Sequence, residues 1–529
     1  MDASTFKPLY GPVYPDTLEE QLNALDTDEA VRRFATSRQR LAVDPYRPLY
    51  HFSPPENVMN DPNGLCHWQG RYHLFYQFRP DGIDRVHWGH TVSDDLIHWR
   101  DLPLALYPDT EKDCFSGQTL VEQDRVIAMY HGTLAGNAIA TASDPLLLNW
   151  RKHPNNPVIL GDTQNSGGAN IVPVMANDVL YRVFDPCIWK EEDGYYALSG
   201  TYKDGVRGVD CVGVDHLFYS RDLDTWDYLG PLIEDAFFAE PGEDAAVPNF
   251  WPIGNGKHML LLFSHKRSGR YYIGEYNSST HRFTPQTHGR MNYGPWMVGS
   301  LHAPSATIDD EGRFLGIFNV KEGREPQGWN DIMTLPRHYR LDADNSLLME
   351  PAGGIESLRF DHRHIDSRVI PANGEMVLEG IHGKAIEIDA VIEPRGAREV
   401  GLCVFRSPNG EEQTRVSLYC QDHRSFGASS LQIDVSAASQ SRDVFARTPE
   451  IGPLPLLPDE PLHLRLFLDR SVLEVYANGR QCLTIRVYPE REDSGGVSVF
   501  ARGSEANLVS LDAWQMRSIW PELRHREGK

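Results

Sequence analysis

The sequence predicts an all-β protein: a β-propeller followed by an antiparallel β-sandwich, with a short helical extension in front. Three observations carry this. Five aromatic and β-branched runs recur along the first two thirds of the chain: RYHLFYQF (71–78), RVIAMYHG (125–132), YYALSGTY (195–202), HMLLLFSH (258–265) and RFLGIFNV (313–320). Three turns echo one another, SDDLIHW ending at Trp99, SDPLLLNW ending at Trp150 and SRDLDTW ending at Trp226. Each follows a predicted strand, and a repeated strand–turn–Trp unit marks blades set around a channel. Later, alternating segments such as AIEIDAVI (385–392) and LHLRLFLD (462–469) flank a hairpin signal at Asn478-Gly479.

The elements follow in order. Residues 1–43 form the helical extension: coil to 15, then Asp16 with Glu19 as a capping box and Leu18, Leu22 and Leu25 on one helical face. Thr27 is expected to cap a second helix carrying Val31 and Phe34. Packing is the favoured role for this pair. The propeller spans 44–350, a linker 351–376 and the sandwich 377–529.

Composition narrows the partners. The 529 residues hold 74 Asp plus Glu against 51 Lys plus Arg, a formal charge of −23. That acidity argues against nucleic acid and anionic membranes and suits a neutral ligand. Seven scattered cysteines with no C-x-x-C predict free thiols in a reducing compartment, not a disulfide frame or a zinc site. The stretch MDASTFKPLYGPVYP has no basic and apolar signal regions, and no apolar run has transmembrane length. The expectation is a cytoplasmic protein with no cofactor and no metal: HExxH, a phosphate loop and clustered ligand spacing are all missing from the sequence. The oligomeric state is left open.

The chemistry centres on HFSPPENVMNDPNG, His51 to Gly64. Asp61 stands among Asn60, Pro62, Asn63 and Gly64, all turn formers, which places it at a strand end or in a tight turn. A carboxylate held there can be a nucleophile or a general base. The full fourteen-residue pattern resembles the signature of glycoside hydrolase family 32, the β-fructofuranosidases, and matching stretches recur in order over nearly everything after residue 44. The resemblance implies a five-bladed propeller, which the length 44–350 suits. It also implies a retaining mechanism in which Asp61 attacks the anomeric carbon of a fructosyl unit. Asn60, Gln77, Trp88, Phe115 and Ser116 fall in stretches that line the family's sugar subsite. Trp88 is weighed evenly between sugar stacking and blade packing.

Two departures stand out. RVFDPCIWK (182–190) resembles the family's Arg-Asp-Pro motif, so Asp185 is expected to grip fructose hydroxyls; but Phe184 stands where the family has Arg, and a bidentate donor is lost. Arg182, two residues away, is a candidate substitute. The acid/base motif, Glu-Cys-Pro before an aromatic pair, aligns on Pro248, Phe250, Trp251 and Pro252 and puts Ala246 at the acid. Three readings stay open: Asp244 is the acid because it shares strand parity with 246, Glu243 is after a local shift, or the acid is lost and the chain is a non-catalytic fructan-binding protein. Asp244 is placed ahead of Glu243, with Glu240 a weaker fourth candidate. His302 is open to two readings, a group that reaches the site and a structural histidine, with the structural one placed ahead. A further alternative keeps the covalent chemistry but changes the acceptor, giving a fructosyltransferase, including one that forms a difructose anhydride.

Overall fold

The computed structural model describes residues 13–520, apart from 162–173, 177–178, 182, 204, 235–238, 296, 421–428 and 458. Five sheets follow one another from residue 57 to 351 as the blades of a propeller. Their innermost strands are Asn57–Trp68, Cys114–Val121, Pro186–Glu191, Ala246–Gly254 and Leu301–Ile308, and each packs against its two neighbours in a ring. The five apolar runs of the sequence are the second strands of the five blades. They are nearly all buried because they are covered on both sheet faces. The ring is latched by a parallel pairing of Asn57 and Val58 with Trp329 and Asn330 from the fifth blade.

The repeated turns join the third and fourth strands of blades one to three, and one device holds them. Asp95 Oδ1 accepts from the backbone N–H of Ile97 and His98. Asp222 Oδ1 does the same for Asp224 and Thr225, and the Asp144 carboxylate for Leu148 and Asn149. The side chain replaces the ladder where the backbone reverses, which lets Leu96, Leu147 and Leu223 take positive φ.

The extension is two helices, α1 (Leu18–Leu25) and α2 (Glu29–Leu41). Their caps are Thr17 and Asp28, each one residue beyond the expected Asp16 and Thr27. Asp28 wins over Thr27 because its carboxylate takes two N–H groups, those of Ala30 and Val31. The helices pack on the propeller: Phe34 meets Phe78 edge-on, and Arg38 bonds Asp101 at 2.7 Å while stacking on Trp520. None of the described helices is long and apolar enough to cross a membrane.

The segment 351–376 is not the linker expected. Arg359–Ile365 and Arg368–Ile370 pair with the last strand, Ala506–Met516, and belong to the sandwich. That sandwich has a seven-stranded and a six-stranded sheet. Ile386, Ile388, Ala390 and Ile392 point inward at period two from one sheet, against Val400, Leu402 and Val404 of the other. Asn478 and Gly479 both have positive φ, the primed hairpin turn their pairing predicts.

Buried polar groups join the two domains. His51, the first residue of the signature, donates its backbone N–H to Asp469 and sets its ring between Asp469 and Glu474. Glu474 also accepts from Arg337 at 2.8 Å. Burial works against a charged imidazole, but these two carboxylates outweigh it and raise the His51 pKa. His51 therefore ties the domains together and does not contact the site.

Candidate active site

A cavity of about 430 Å3 opens at one end of the ring. Its walls come from one recurring device. In blades one, two, four and five the inner strand carries a bulge in which two residues oppose one on the second strand. The extra pairs are Asn60-Asp61, Phe115-Ser116, Val247-Pro248 and His302-Ala303. Freed from the ladder, Asn60, Asp61, Phe115, Val247 and His302 turn into the cavity. Gly117 permits the second bulge, because a Cβ there would sit 2.1 Å from the Met129 carbonyl oxygen. In blade three Asp185 stands just before the inner strand, its carbonyl oxygen accepting from the N–H of Gly200.

Asp61 is 6 % exposed and closely held. Ser116 Oγ donates to Oδ2 at 2.5 Å and Gln77 Nε2 to the same oxygen at 3.2 Å. His302 Nδ1 lies 3.1 Å from Oδ1. Burial alone would raise this carboxyl, but His302, the Lys321 ammonium and the Ser116 hydroxyl together lower it below the usual range. Burial also pushes His302 down to about 4. The ring is therefore neutral near pH 7, and Asp61 is kept ionised by Lys321 and by neutral donors. Lys321 is set in place by Asn60 and Asp331. His302, expected to be structural, is thus a site residue.

Asp185 has the opposite character. Burial, then the charge of Asp61, raises it well above the carboxylate range, against Val247 N–H at 3.3 Å and the nearby Arg207. The cavity therefore holds two carboxyls whose surroundings push them in opposite directions, Asp61 down and Asp185 up. Phe184 lines the cavity and packs on the His131 ring at 4.8 Å, so an aromatic contact fills the place of the missing Arg. Arg182 lies outside the described residues. Arg207, from the loop between the second and third strands of blade three, brings a guanidinium to the wall instead.

Blade four corrects the acid/base expectation. Ala246 lines the cavity with only a methyl group. Glu243 turns away, both its oxygens 2.5 Å from Arg270 Nη1 in a buried pair. Glu240 is on the surface with Arg267. Asp244 is buried behind the wall, with Oδ1 accepting from the N–H of His265 at 2.8 Å and Oδ2 2.6 Å from its Nδ1. Burial is opposed by the His265 charge and these bonds, which leave Asp244 below the ordinary carboxylate range. Both its oxygens are engaged by His265, and it does not line the cavity. The parity argument fails because the strand begins only at Ala246, and Val247 has φ of +50°. Of the two readings of Trp88, blade packing is the one seen: it is fully buried, donates Nε1–H to the Phe115 carbonyl at 2.8 Å and packs on Phe75 and Tyr130. It supports the second bulge and does not face the cavity.

Sequence reasoning missed Arg207, His265 and Lys321. Two of them share a faint signal: His265 and Lys321 each follow directly on a second strand, Lys257–Ser264 and Phe314–Val320. Among the described residues no cluster of three or more His, Cys, Asp or Glu side chains could hold a metal ion.

Comparison with known proteins agrees with this geometry. Residues 51–351 match the profile described as "Glycosyl hydrolases family 32 N-terminal domain", and 355–515 match that of the family's C-terminal domain. The chain is 29 % identical to β-fructofuranosidase 1 of Zea mays over 93 % of its length and 82 % of the relative's. It is 26 % identical to the levanase of Bacillus subtilis (strain 168), over 90 % of its length and 71 % of that enzyme's. Fructan 1-exohydrolase IIa from Cichorium intybus superposes with a TM-score of 0.77 at 24 % identity, covering 90 % of this chain and 98 % of that one. A family 32 β-fructofuranosidase of Bombyx mori gives 0.69 at 25 %, covering 96 % and 100 %.

Proposed function

This chain belongs to glycoside hydrolase family 32, and from that premise we propose that it hydrolyses β-fructofuranosidic bonds of sucrose or fructans with retention. The observation that carries the reading is Asp61: an ionised carboxylate on a bulge, aimed into a sugar-sized cavity and fixed by Ser116, Gln77 and His302. Its Oδ1 attacks the anomeric carbon and forms a fructosyl ester, which water then cleaves. Ser116 and Gln77 hold Oδ2, so the attacking oxygen does not rotate away. Asp185 hydrogen-bonds the fructose hydroxyls, and Arg207 supplies a cation in place of the lost Arg at 184. Seven free cysteines, six of them buried, support a reducing, cytoplasmic setting, which fractionation of cells expressing the tagged chain tests.

The test is release of fructose from sucrose, levan and inulin, with the products identified. Fructose release from any of them supports the hydrolase. A second reading, a fructan-binding protein, is favoured by one observation: only a methyl group stands at Ala246, where the family has its acid. Saturable binding of levan or inulin with no product from any of the three would establish it.

A further inference from the structure

Among the described residues that line the cavity, His265 is the titratable side chain that blade four supplies. It follows the second strand of blade four, two residues past Phe263, which pairs with Ala246. It lines the same cavity as Ala246 and Asp61. Its ring centroid is 6.3 Å from that of His302, whose Nδ1 is 3.1 Å from Asp61. One imidazole, that of His302, therefore stands between His265 and the nucleophile on the cavity wall. Asp244 grips its backbone N–H and its Nδ1, and Arg207 Nη1 steadies that carboxylate from 3.6 Å. A buried carboxylate on Nδ1 fixes the ring and leaves Nε2 as the atom that exchanges protons with a ligand, a common arrangement for catalytic histidines.

We propose that His265, oriented by Asp244, is the general acid/base of this enzyme, replacing the carboxylic acid absent at Ala246. The inference rests on the hydrolase reading. In the first step Asp61 Oδ1 bonds to the anomeric carbon and the bond from that carbon to the leaving oxygen breaks. The electron pair stays on the leaving oxygen, which takes the proton from His265 Nε2. In the second, neutral Nε2 takes a proton from water as its oxygen attacks the anomeric carbon, and the ester bond to Asp61 breaks. The charged and titratable groups around His265 are Asp244 and Arg207 behind it and His302, Lys321, Asp61 and Asp185 across the cavity. Asp244 touches no substrate and is a positioning residue.

The experiment compares sucrose, whose leaving group needs a proton, with an activated aryl β-fructofuranoside, whose leaving group does not. In His265→Gln, kcat/KM for sucrose should fall about 100-fold or more, while that for the aryl fructoside stays within a few-fold. Asp244→Asn keeps the imidazole but removes its carboxylate. It should lower sucrose turnover less than His265→Gln, and shift the basic limb of the sucrose pH profile to lower pH. It also provides the measurement should His265→Gln not fold. Equal loss on both substrates, or no loss, in a folded His265→Gln overturns the inference. So does a selective loss of sucrose turnover in Asp185→Asn with His265→Gln unaffected, which would make Asp185 the acid. An unmoved pH profile in Asp244→Asn overturns the orienting role. In each of these cases the wild type still releases fructose and the hydrolase reading stands; a wild type inactive on every fructoside would sink that reading first.

Discussion

Replacing Glu243 should damage the fold and leave the chemistry intact. Both carboxylate oxygens of Glu243 sit 2.5 Å from Arg270 Nη1, and the two side chains are 3 % and 4 % exposed. Those exposures place the pair outside the surface regime, where an ion pair is worth about 0–1 kcal/mol. Glu243→Gln leaves a guanidinium buried without its countercharge, a loss of about 3–5 kcal/mol. At about 2–4 °C per kcal/mol for a large domain, the thermal midpoint should drop by roughly 6–20 °C. Arg270→Met should cost a similar amount. Glu243→Leu combined with Arg270→Met removes both charges and should regain most of the loss, because a well-packed apolar pair is often neutral relative to a buried ion pair. Thermal unfolding followed by circular dichroism measures the midpoints, and fructose release well below the transition measures activity. A Glu243→Gln protein that kept its midpoint but lost sucrose turnover would refute the reasoning and return Glu243 to the reaction.

Three further outcomes are expected. Asp61→Asn keeps the size and loses the charge, so fructose release should fall by several orders of magnitude with an unchanged circular dichroism spectrum; near-normal turnover would remove Asp61 as nucleophile. Ser116→Ala takes away the 2.5 Å donor that helps hold Asp61 ionised, so the Asp61 pKa rises and the acid limb of kcat/KM should move to higher pH, while a limb that stays put would show that Lys321 and His302 suffice. Asp215 is fully buried in blade three, and burial lifts its carboxyl to about 8. The folded state keeps the proton while the unfolded state loses it near pH 4, so this contribution to stability is complete below about pH 4 and is lost as pH rises toward 8. Asp215→Asn should flatten the stability profile across that window, and an unchanged slope in denaturant titrations from pH 5 to 8 would contradict the assignment.

What was legible in the sequence was local. The second strands announced themselves because burial on both faces demands continuous apolar runs, and the Asp-held turns because one side chain suffices to close each. Asp61, Gln77, Ser116 and Asp185 were legible because they lie in contiguous motifs. His302, His265, Arg207 and Lys321 come from loops and strand ends of three blades, and only closure of the ring brings them to one cavity. Trp88 was ambiguous because an indole serves a blade core and a sugar equally well. Asp244 misled because alternation along a strand was applied to residues that precede the strand.

The matched bulges bear on how such a protein changes over generations. A ladder residue is constrained twice, by its hydrogen bonds and by its neighbours on the sheet; a bulged residue is constrained chiefly by what it touches in the cavity. Four of the five inner strands carry their site residues at such positions, and Ala246 and Phe184 sit directly beside them or at a strand mouth. Drift at these points alters reactivity while the blades persist, so a lineage can surrender one catalytic group and recruit another from the adjoining strand without passing through an unfolded intermediate. Reversal should be equally open: Ala246→Glu adds a carboxyl to a wall that is already built, and the protein should fold as before.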